Sequence, residues 1–372
     1  MSKHFACIIC LFFLSSCVLE NTVEPDFKRT VFVYIGCDNN LRNDADGKVE
    51  SLKNGWNGKN GYLVVYRDLY KEGSVLEEIY VENGIKKTKV IYTREDENSA
   101  SPEVFAEILQ DVKNMYPADS YGLILFSHAS GWLPDATLVS PRSMQTRSLV
   151  QDGRDWMSMT DFAAAIPDNQ FDYILFEACF MAGIEVVYEL RNKAGYIVAS
   201  SAEILSPGFQ EIYGSSVNDL FKQQADLVKF TKDAYDEVDA KTGELRSATL
   251  SIVRTDGLKA LSDWLRENIE TDKNVDIRDI QHFDRYSYHL FFDFEDYFSR
   301  VLKDGGKRDE LKRLVDNCVI YKVSTPDFLP SSLGFKVEKH SGLTTYIRQD
   351  DYPYLNVRYE ELEWFKKIYV IN

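Results

Sequence analysis

Apolar and polar residues alternate in blocks along this chain, and from residue 28 onward the blocks have the lengths of secondary-structure elements. Short runs rich in β-branched and aromatic residues are typical of buried strands. Up to residue 200, such runs cover residues 30–36, 62–66, 88–93, 121–127, 171–176 and 195–200. Segments with helical spacing lie between several of these runs. This alternation predicts an α/β fold with a largely parallel central sheet flanked by helices.

The clearest helix signal lies between Pro102 and Met115. Ser101 is a typical N-cap, proline fits the first helical position, and the apolar residues that follow form one stripe. A second helix is predicted directly after Cys179, and Thr160 is the predicted cap of a short one. After residue 216 the pattern predicts mainly helices, with strands near residues 249–253 and 319–323.

Two reactive side chains stand at the ends of predicted strands. His128 follows the run 121–127, and Cys179 follows the run that begins at Phe171. Ligands of parallel sheets gather at the carboxyl ends of the strands, so both side chains are expected at one edge. A thiolate is the nucleophilic form of cysteine, and a helix N-terminus together with an imidazolium lowers its pKa. We therefore expect Cys179 to be a nucleophile and His128 its general base.

The order and spacing of His128 and Cys179 favour catalytic roles for the two residues over purely structural ones. His128 lies 51 residues before Cys179, and caspases place the histidine about 50 residues before the cysteine. Taken singly, each residue favours the ordinary interpretation, a hydrogen-bonded histidine or a buried cysteine. Together they favour catalysis, with the backbone amides of Ala129 and Cys179 as the expected oxyanion donors. His282, His289 and His340 lack such a context and are expected to be surface or packing residues.

Other enzyme classes receive less support from the sequence. No Gly-x-Ser-x-Gly motif occurs, which disfavours a serine hydrolase. Beyond residue 17 only Cys37, Cys179 and Cys318 remain, too few for a disulfide framework and without metal-ligand spacing, so no structural metal is expected. The net charge of −16 repels polyanions and disfavours nucleic acid as a partner.

The N-terminus has the features of an export signal. Its apolar run, residues 5–14, is too short to span a bilayer. Residues 14–17, Leu-Ser-Ser-Cys, resemble a bacterial lipobox. They predict a lipoprotein signal peptide at residues 1–17, a lipid on Cys17, a tether at residues 18–27, and an exported protein anchored in the cell envelope, at the outer membrane. The alternative is an ordinary cleaved signal with an incidental cysteine.

Several longer motifs resemble the clostripain family, peptidase family C11 of the caspase-like clan. They cover residues 33–41, 116–121, 128–132, 177–182, 185–191, 196–201 and 341–347, together with Trp364. The resemblance implies a caspase-like three-layer sandwich, with a catalytic core at residues 28–215 and a mainly helical C-terminal subdomain at residues 216–372 that completes the peptidase domain. It also implies a cysteine endopeptidase that forms a thioester with peptide or protein substrates, typically after Arg or Lys. We expect a monomer.

The residues that the resemblance implies for substrate binding depart from the usual family pattern. The family usually has Asp two residues before the nucleophile, where it holds the basic side chain, and this chain has Glu177. Glu203 is a weaker candidate for that role. The strand at residues 195–201, with Ser200 and Ser201, is expected either to bind substrate as an added strand or to be purely structural.

The polar stretch between His128 and Cys179 is a predicted site of self-cleavage. Family members are often activated by self-cleavage between the histidine and the cysteine, which here predicts cleavage after Arg147 or Arg142, unless residues 140–150 are an ordinary loop.

The chemistry requires no cofactor. Clostripain uses calcium, but residues 44–47 do not complete an EF-hand loop, so a calcium requirement stays open. Ala129 stands where relatives have glycine, and Glu177 stands where they have Asp. These two departures favour the alternative, a catalytically inactive binding lipoprotein of the same fold.

Overall fold

The computed structural model describes residues 27–69, 73–95, 97–133, 149–269, 275–285, 288–331 and 333–369. The predicted signal peptide, the lipidation site at Cys17, nearly all of the tether, and the cleavage candidates Arg142 and Arg147 lie outside these ranges. Within them, no helix combines the length and the apolar character needed to cross a membrane.

A nine-stranded sheet forms the centre of the fold, in the order β12-β10-β9-β8-β5-β1-β2-β3-β4. The strands are β1 (Arg29–Cys37), β2 (Gly61–Leu69), β3 (Gly73–Glu82), β4 (Ile85–Arg94), β5 (Ser120–Phe126), β6 (Leu149–Asp152), β7 (Asp155–Met157), β8 (Phe171–Glu177), β9 (Ala194–Ser200), β10 (Thr249–Arg254), β11 (Phe292–Asp293), β12 (Val319–Ser324), β13 (Asp327–Phe328), β14 (Phe335–Lys336) and β15 (Thr344–Thr345). The five strands from β9 to β2 pair in parallel. The outer strands join this centre through antiparallel pairs, so β3 and β10 run against the other seven strands of the sheet. The prediction of a largely parallel sheet is confirmed.

Helices cover both faces of this sheet and make a three-layer sandwich. They are α1 (Arg42–Gly55), α2 (Pro102–Met115), α3 (Met159–Ala165), α4 (Ile184–Glu189), α5 (Gln210–Ser216), α6 (Leu227–Asp239), α7 (Leu258–Asn268), α8 (Phe294–Val301), α9 (Gly305–Cys318), α10 (Pro353–Glu360) and α11 (Glu363–Tyr369). Helices α1, α5 and α6 pack on one face, and the others share the opposite core. Successive residues of a strand point to opposite faces, so Phe32 and Tyr34 belong to one core, and Val31, Val33 and Ile35 to the other.

Local chemistry explains where the helices begin. Helix α2 starts as predicted, since the Ser101 side chain accepts a hydrogen bond from Val104 N at 3.3 Å. Helix α3 is capped by Ser158 rather than Thr160, because the Ser158 hydroxyl accepts from Asp161 N at 3.0 Å. The helix expected directly after Cys179 begins only at Ile184.

The C-terminal part is mainly helical but does not stand apart from the sheet. It supplies β10, which pairs with β9, and β12, which pairs with β10. Its helices α7 to α11 pack in the same apolar core as α2 and α3. The carboxyl edge of the parallel strands is therefore built on one continuous scaffold.

Candidate functional site

The register of β5 and β8 fixes where the two reactive side chains emerge. These strands are parallel neighbours, and Phe126 pairs with Glu177. His128 and Cys179 each follow that pair by the same two positions, so both lie at the same edge of the sheet. Both residues are half-buried. The expectation that the two side chains share an edge is confirmed, whereas their catalytic roles stay a prediction.

His128 is oriented by an amide that the sequence interpretation did not single out. Its Nε2 lies 2.6 Å from Asn40 Oδ1. An amide oxygen only accepts hydrogen bonds, so Nε2 is the donor in this arrangement. Asn40 comes from the turn after β1, which pairs with β5. The sequence could have indicated Asn40, because it lies in a polar turn at the end of the strand next to β5.

Cys179 lies in a turn, which corrects the expected helix N-terminus. The next residue, Phe180, has a left-handed φ of 61°, and its N–H donates to Ala202 O at 2.9 Å. The backbone thus turns sharply against the segment after β9, and α4 begins five residues beyond Cys179. No helix dipole acts on the sulfur from this position, because the effect is confined to the first turn.

The environment of the thiol raises its pKa instead of lowering it. Burial raises the pKa of Cys179 to about 12, although a backbone hydrogen bond from Ile204 opposes this. Ile204 N lies 3.4 Å from the Cys179 Sγ. Burial therefore acts against the lowered pKa that was expected from the sequence.

The loop after His128 packs directly against the nucleophile turn. Ala129 is buried and forms an isolated antiparallel bridge with Leu149. Gly131 has a φ of 64°, and a Cβ on it would lie 2.9 Å from Phe180 O. Glycine is therefore required at 131 both by the backbone angle and by the close approach. Ala129 tolerates its position, and the oxyanion roles of Ala129 and Cys179 stay a prediction.

Glu177 does not face the substrate side of this edge. Its side chain is buried, forms an ion pair with the buried Lys48, and accepts from Phe209 N at 2.5 Å and Tyr213 Oη at 2.7 Å. A buried carboxylate needs such partners, since burial without them is costly. The expected contact with a substrate side chain is therefore not available to Glu177 in this structure. Lys48 lies on α1, which the sequence interpretation did not predict.

The expected substrate strand is an interior strand. β9 pairs with β8 on one side and with β10 on the other, so Ala194–Ser200 presents no open edge. Ser200 is buried, with its Oγ 3.0 Å from Thr249 Oγ1. Ser201 is also buried, and its Oγ lies 3.3 Å from His340 Nε2. The structural alternative for residues 195–201 is thus correct, and an added strand is excluded there.

Glu203 differs from Glu177 in that it reaches the surface beside the nucleophile. It directly precedes Ile204, whose amide contacts the sulfur. Its carboxylate accepts from Arg285 Nε at 2.7 Å, with Arg285 Nη2 at 3.4 Å from the other oxygen. The Glu203 side chain is 18% exposed. Of the two acids proposed from the sequence, Glu203 is the one that lies at the open side of the site.

Within the described residues, one group of side chains able to ligate a metal is His282, Asp284 and His289, whose ligand atoms lie within 4.8 Å of one another. The imidazoles stack with centroids 3.5 Å apart. His282 Nδ1 donates to Asp284 O at 2.8 Å, and His289 Nδ1 lies 2.6 Å from Asp284 Oδ1. These hydrogen bonds hold the three side chains together, and we assign no ion to them.

Comparisons with known proteins agree with this geometry. Residues 33–330 match the family model described as the clostripain family, peptidase C11. An inactive zymogen C11 protease from Parabacteroides distasonis is 33% identical, over 94% of this chain and 100% of that one, with a TM-score of 0.83. A secreted C11 cysteine protease from Bacteroides thetaiotaomicron, in complex with an irreversible peptide inhibitor, is 26% identical over 92% and 99%, with a TM-score of 0.81. Clostripain from Hathewaya histolytica is 26% identical over 213 residues, a match that covers 49% of this chain and only 40% of clostripain.

Proposed function

Because this chain belongs to the clostripain family, peptidase family C11, we propose that it is a cysteine endopeptidase whose nucleophile is Cys179 and whose general base is His128. The observation that carries the proposal is the register of β5 and β8, which brings both side chains to one sheet edge. Cysteine peptidases of this family need no cofactor for the chemistry.

The proposed reaction uses groups on both sides of this edge. His128 accepts the thiol proton, the Cys179 sulfur attacks the scissile carbonyl carbon, and the oxyanion accepts hydrogen bonds from the amides of Cys179 and Ala129. His128 then protonates the departing amine, which leaves a thioester on Cys179. Water hydrolyses this thioester with His128 as base and regenerates the thiol. Asn40 orients the imidazole throughout, through its 2.6 Å contact with Nε2.

We further propose that the uncut chain is a poorly active form and that self-cleavage after Arg147 or Arg142 activates it. The surroundings of Cys179 support this, since burial raises the pKa of the thiol and so opposes formation of the nucleophilic thiolate. Leu149, just beyond the cleavage candidates, bridges to Ala129 beside the base. The similarity to an inactive zymogen is a further support.

The proposed preference is for Arg or Lys before the scissile bond. Glu203 supports it better than Glu177, because Glu203 is partly exposed and Glu177 is enclosed by its partners. Guanidinium and carboxylate groups form paired hydrogen bonds that favour arginine over neutral residues.

An inactive binding lipoprotein is the second candidate, and it is favoured by Ala129 beside the base and by the enclosure of Glu177 with Lys48. The two are separated by incubating the protein with fluorogenic peptides that differ in the residue before the scissile bond. Cys179→Ala should abolish turnover. Cys318→Ala, which changes a buried cysteine away from the site, is the matched control and should retain it. Equal turnover in the wild type and Cys179→Ala, or none in either after proteolytic activation, would exclude the peptidase.

Lipid anchoring at Cys17, with export to the outer membrane, is proposed from the lipobox-like residues alone. Metabolic labelling with a fatty acid in a bacterial host should label the wild type and a Cys10→Ser control, and leave Cys17→Ser unlabelled. Label that persists in Cys17→Ser would exclude this site.

A further inference from the structure

The segment that follows β9 runs alongside the nucleophile turn. Phe180 N donates to Ala202 O at 2.9 Å, and Ile204 N lies 3.4 Å from Cys179 Sγ. Glu203 stands between these two contacts, so its backbone is fixed on both sides. Its carboxylate is therefore held next to the nucleophile rather than on a freely moving loop.

The carboxylate of Glu203 receives a guanidinium from the same chain. Arg285 Nε donates to one oxygen at 2.7 Å, and Nη2 lies 3.4 Å from the other, which approaches a two-point arrangement. The Arg285 side chain is 35% exposed. Both charges act on the thiol: Glu203 raises the pKa of Cys179 and Arg285 lowers it, which places the pair within electrostatic reach of the sulfur.

The backbone that carries Arg285 is also fixed against the site. The neighbouring Asp284 is buried and accepts hydrogen bonds from Leu290 N at 2.8 Å and Phe291 N at 3.1 Å. The Phe291 ring stacks on Phe180 at 4.2 Å between centroids, with an angle of 12° between the planes. Phe180 directly follows the nucleophile, so Arg285 is presented to Glu203 from an element that packs on the catalytic turn.

We propose that Glu203 forms a guanidinium-binding site beside Cys179, and that Arg285 occupies it as an internal ligand until the basic side chain of a peptide displaces it. The inference rests on the proposed peptidase function and deepens it, since it names the residue that selects a basic side chain and the residue that competes for it. Both side chains retain solvent contact, so exchange of one guanidinium for another does not require an unpaired buried charge.

Competition of this kind weakens the apparent affinity for a basic ligand. When only a fraction of the protein offers an open site, the apparent Kd rises by the inverse of that fraction. An intramolecular partner fixed next to its acid has a high effective concentration, so the open fraction is small. Removal of the Arg285 side chain is then equivalent to removal of a competitor. Removal of the Glu203 charge destroys the site itself.

Binding of benzamidine, a small amidinium probe, tests this without reference to catalysis. Titration calorimetry is done on full-length protein carrying Cys179→Ala, with Arg285→Met, Glu203→Gln or both added. We expect Arg285→Met to bind benzamidine roughly tenfold more tightly than its parent, if the open fraction is on the order of one tenth. Glu203→Gln, alone or with Arg285→Met, should lose this binding.

Arg246→Met is the matched control, because Arg246 forms a comparably exposed ion pair with Asp239, with side chains 40% and 35% exposed. It should leave benzamidine binding unchanged. An Arg285→Met protein that binds no better than this control would overturn the proposal, and so would undiminished binding in Glu203→Gln. If Arg285→Met fails to fold, Arg285→Leu removes the same charge and the same polar contact and must give the same gain in affinity.

Peptide kinetics then separate this inference from the proposed function. With active enzyme, Glu203→Gln should lose the preference for Arg over norleucine before the scissile bond, whereas Arg285→Met should lower KM for the Arg peptide with little change in kcat. Turnover that is present but unaltered in both variants defeats the inference alone. Absence of turnover in every protein after proteolytic activation, with benzamidine binding as expected, defeats the peptidase proposal and leaves the binding site standing.

Discussion

The site contains two glutamates with cationic partners, and their surroundings are opposite. Glu177 and Lys48 are both buried, and additional donors from α5 and its entry complete the shell of that carboxylate. Glu203 and Arg285 stay in contact with solvent. Glu177, two residues before the proposed nucleophile, is thus a structural acid, because its cationic partner is enclosed. Glu203, close to the nucleophile in space, is suited to exchange partners, because both side chains of its ion pair reach the surface.

Removal of one partner from the enclosed pair should have the largest effect on stability. Lys48→Met leaves the Glu177 carboxylate buried without its cation, and breaking a buried pair in this way costs about 3–5 kcal/mol. The free energy of unfolding is measured by urea denaturation. A second variant, Lys48→Met with Glu177→Gln, should recover part of the loss because no charge remains buried. A loss below about 1 kcal/mol in Lys48→Met would show that this pair behaves like a surface pair.

Asp68 gives a third case, a buried acid that forms no salt bridge with any cation of the described residues. Burial raises the pKa of Asp68 to about 8, and the neighbouring Asp152 adds to this. The unfolded value is near 3.9, so the fold holds the proton more tightly, and this contribution to stability is lost as the pH rises from about 4 through 8. Asp68→Asn should therefore gain stability relative to wild type at pH 8 compared with pH 5, by roughly 3–4 kcal/mol, because linkage contributes about 1.36 kcal/mol per pH unit between the two pKa values.

Thermal unfolding at the two pH values measures this difference. Asp168→Asn, at a side chain that is 63% exposed, is the control and should show none. A parallel shift of both variants with pH would mean that Asp68 is already ionised at pH 5.

Removal of the Arg285 side chain should have the smallest effect on stability, in contrast to removal of Lys48 from the buried pair. An exposed ion pair contributes about 0–1 kcal/mol, so Arg285→Met should change the free energy of unfolding by less than that amount. Urea denaturation beside Arg246→Met supplies the comparison. A loss of several kcal/mol would place Arg285 with Lys48 as a structural cation.

The thiol itself reports on the state of the site. Below the thiol pKa the thiolate fraction rises about tenfold per pH unit, and the pKa of Cys179 is raised to about 12. Alkylation of Cys179 by iodoacetamide in uncut protein should therefore accelerate steadily from pH 7 to pH 10, as followed by mass spectrometry. A plateau below pH 8 would indicate an already activated thiol.

Periodicity identified all five parallel strands and the helix from Pro102 to Met115, because each has a clear apolar pattern. It did not reveal β3, whose acidic residues break the run, or α1, whose apolar residues are sparse. The positions of His128 and Cys179 were predictable, since each ends an apolar strand. The roles of Lys48, Asn40 and Arg285 were not, because each approaches the site from an element distant in sequence.

Contacts between segments distant in sequence also explain why two predictions at the site were wrong. The residues from Cys179 to Gly183 read as the start of a helix, yet hydrogen bonds to Ser200 and Ala202 hold them in a turn. β9 reads equally well as an edge or as an interior strand. Only its pairing with the later strand β10 decides between them.

The adjacency of β5 and β8 also determines what a cleaved chain would become. The two strands lie on opposite sides of the proposed cut and are joined by backbone hydrogen bonds along their length. The fragment before the cut keeps β1 to β5, and the fragment after it keeps β8, β9, β10 and β12. Cleavage would therefore yield a two-chain particle that elutes from gel filtration at the size of the uncut protein and separates into two bands only in denaturant.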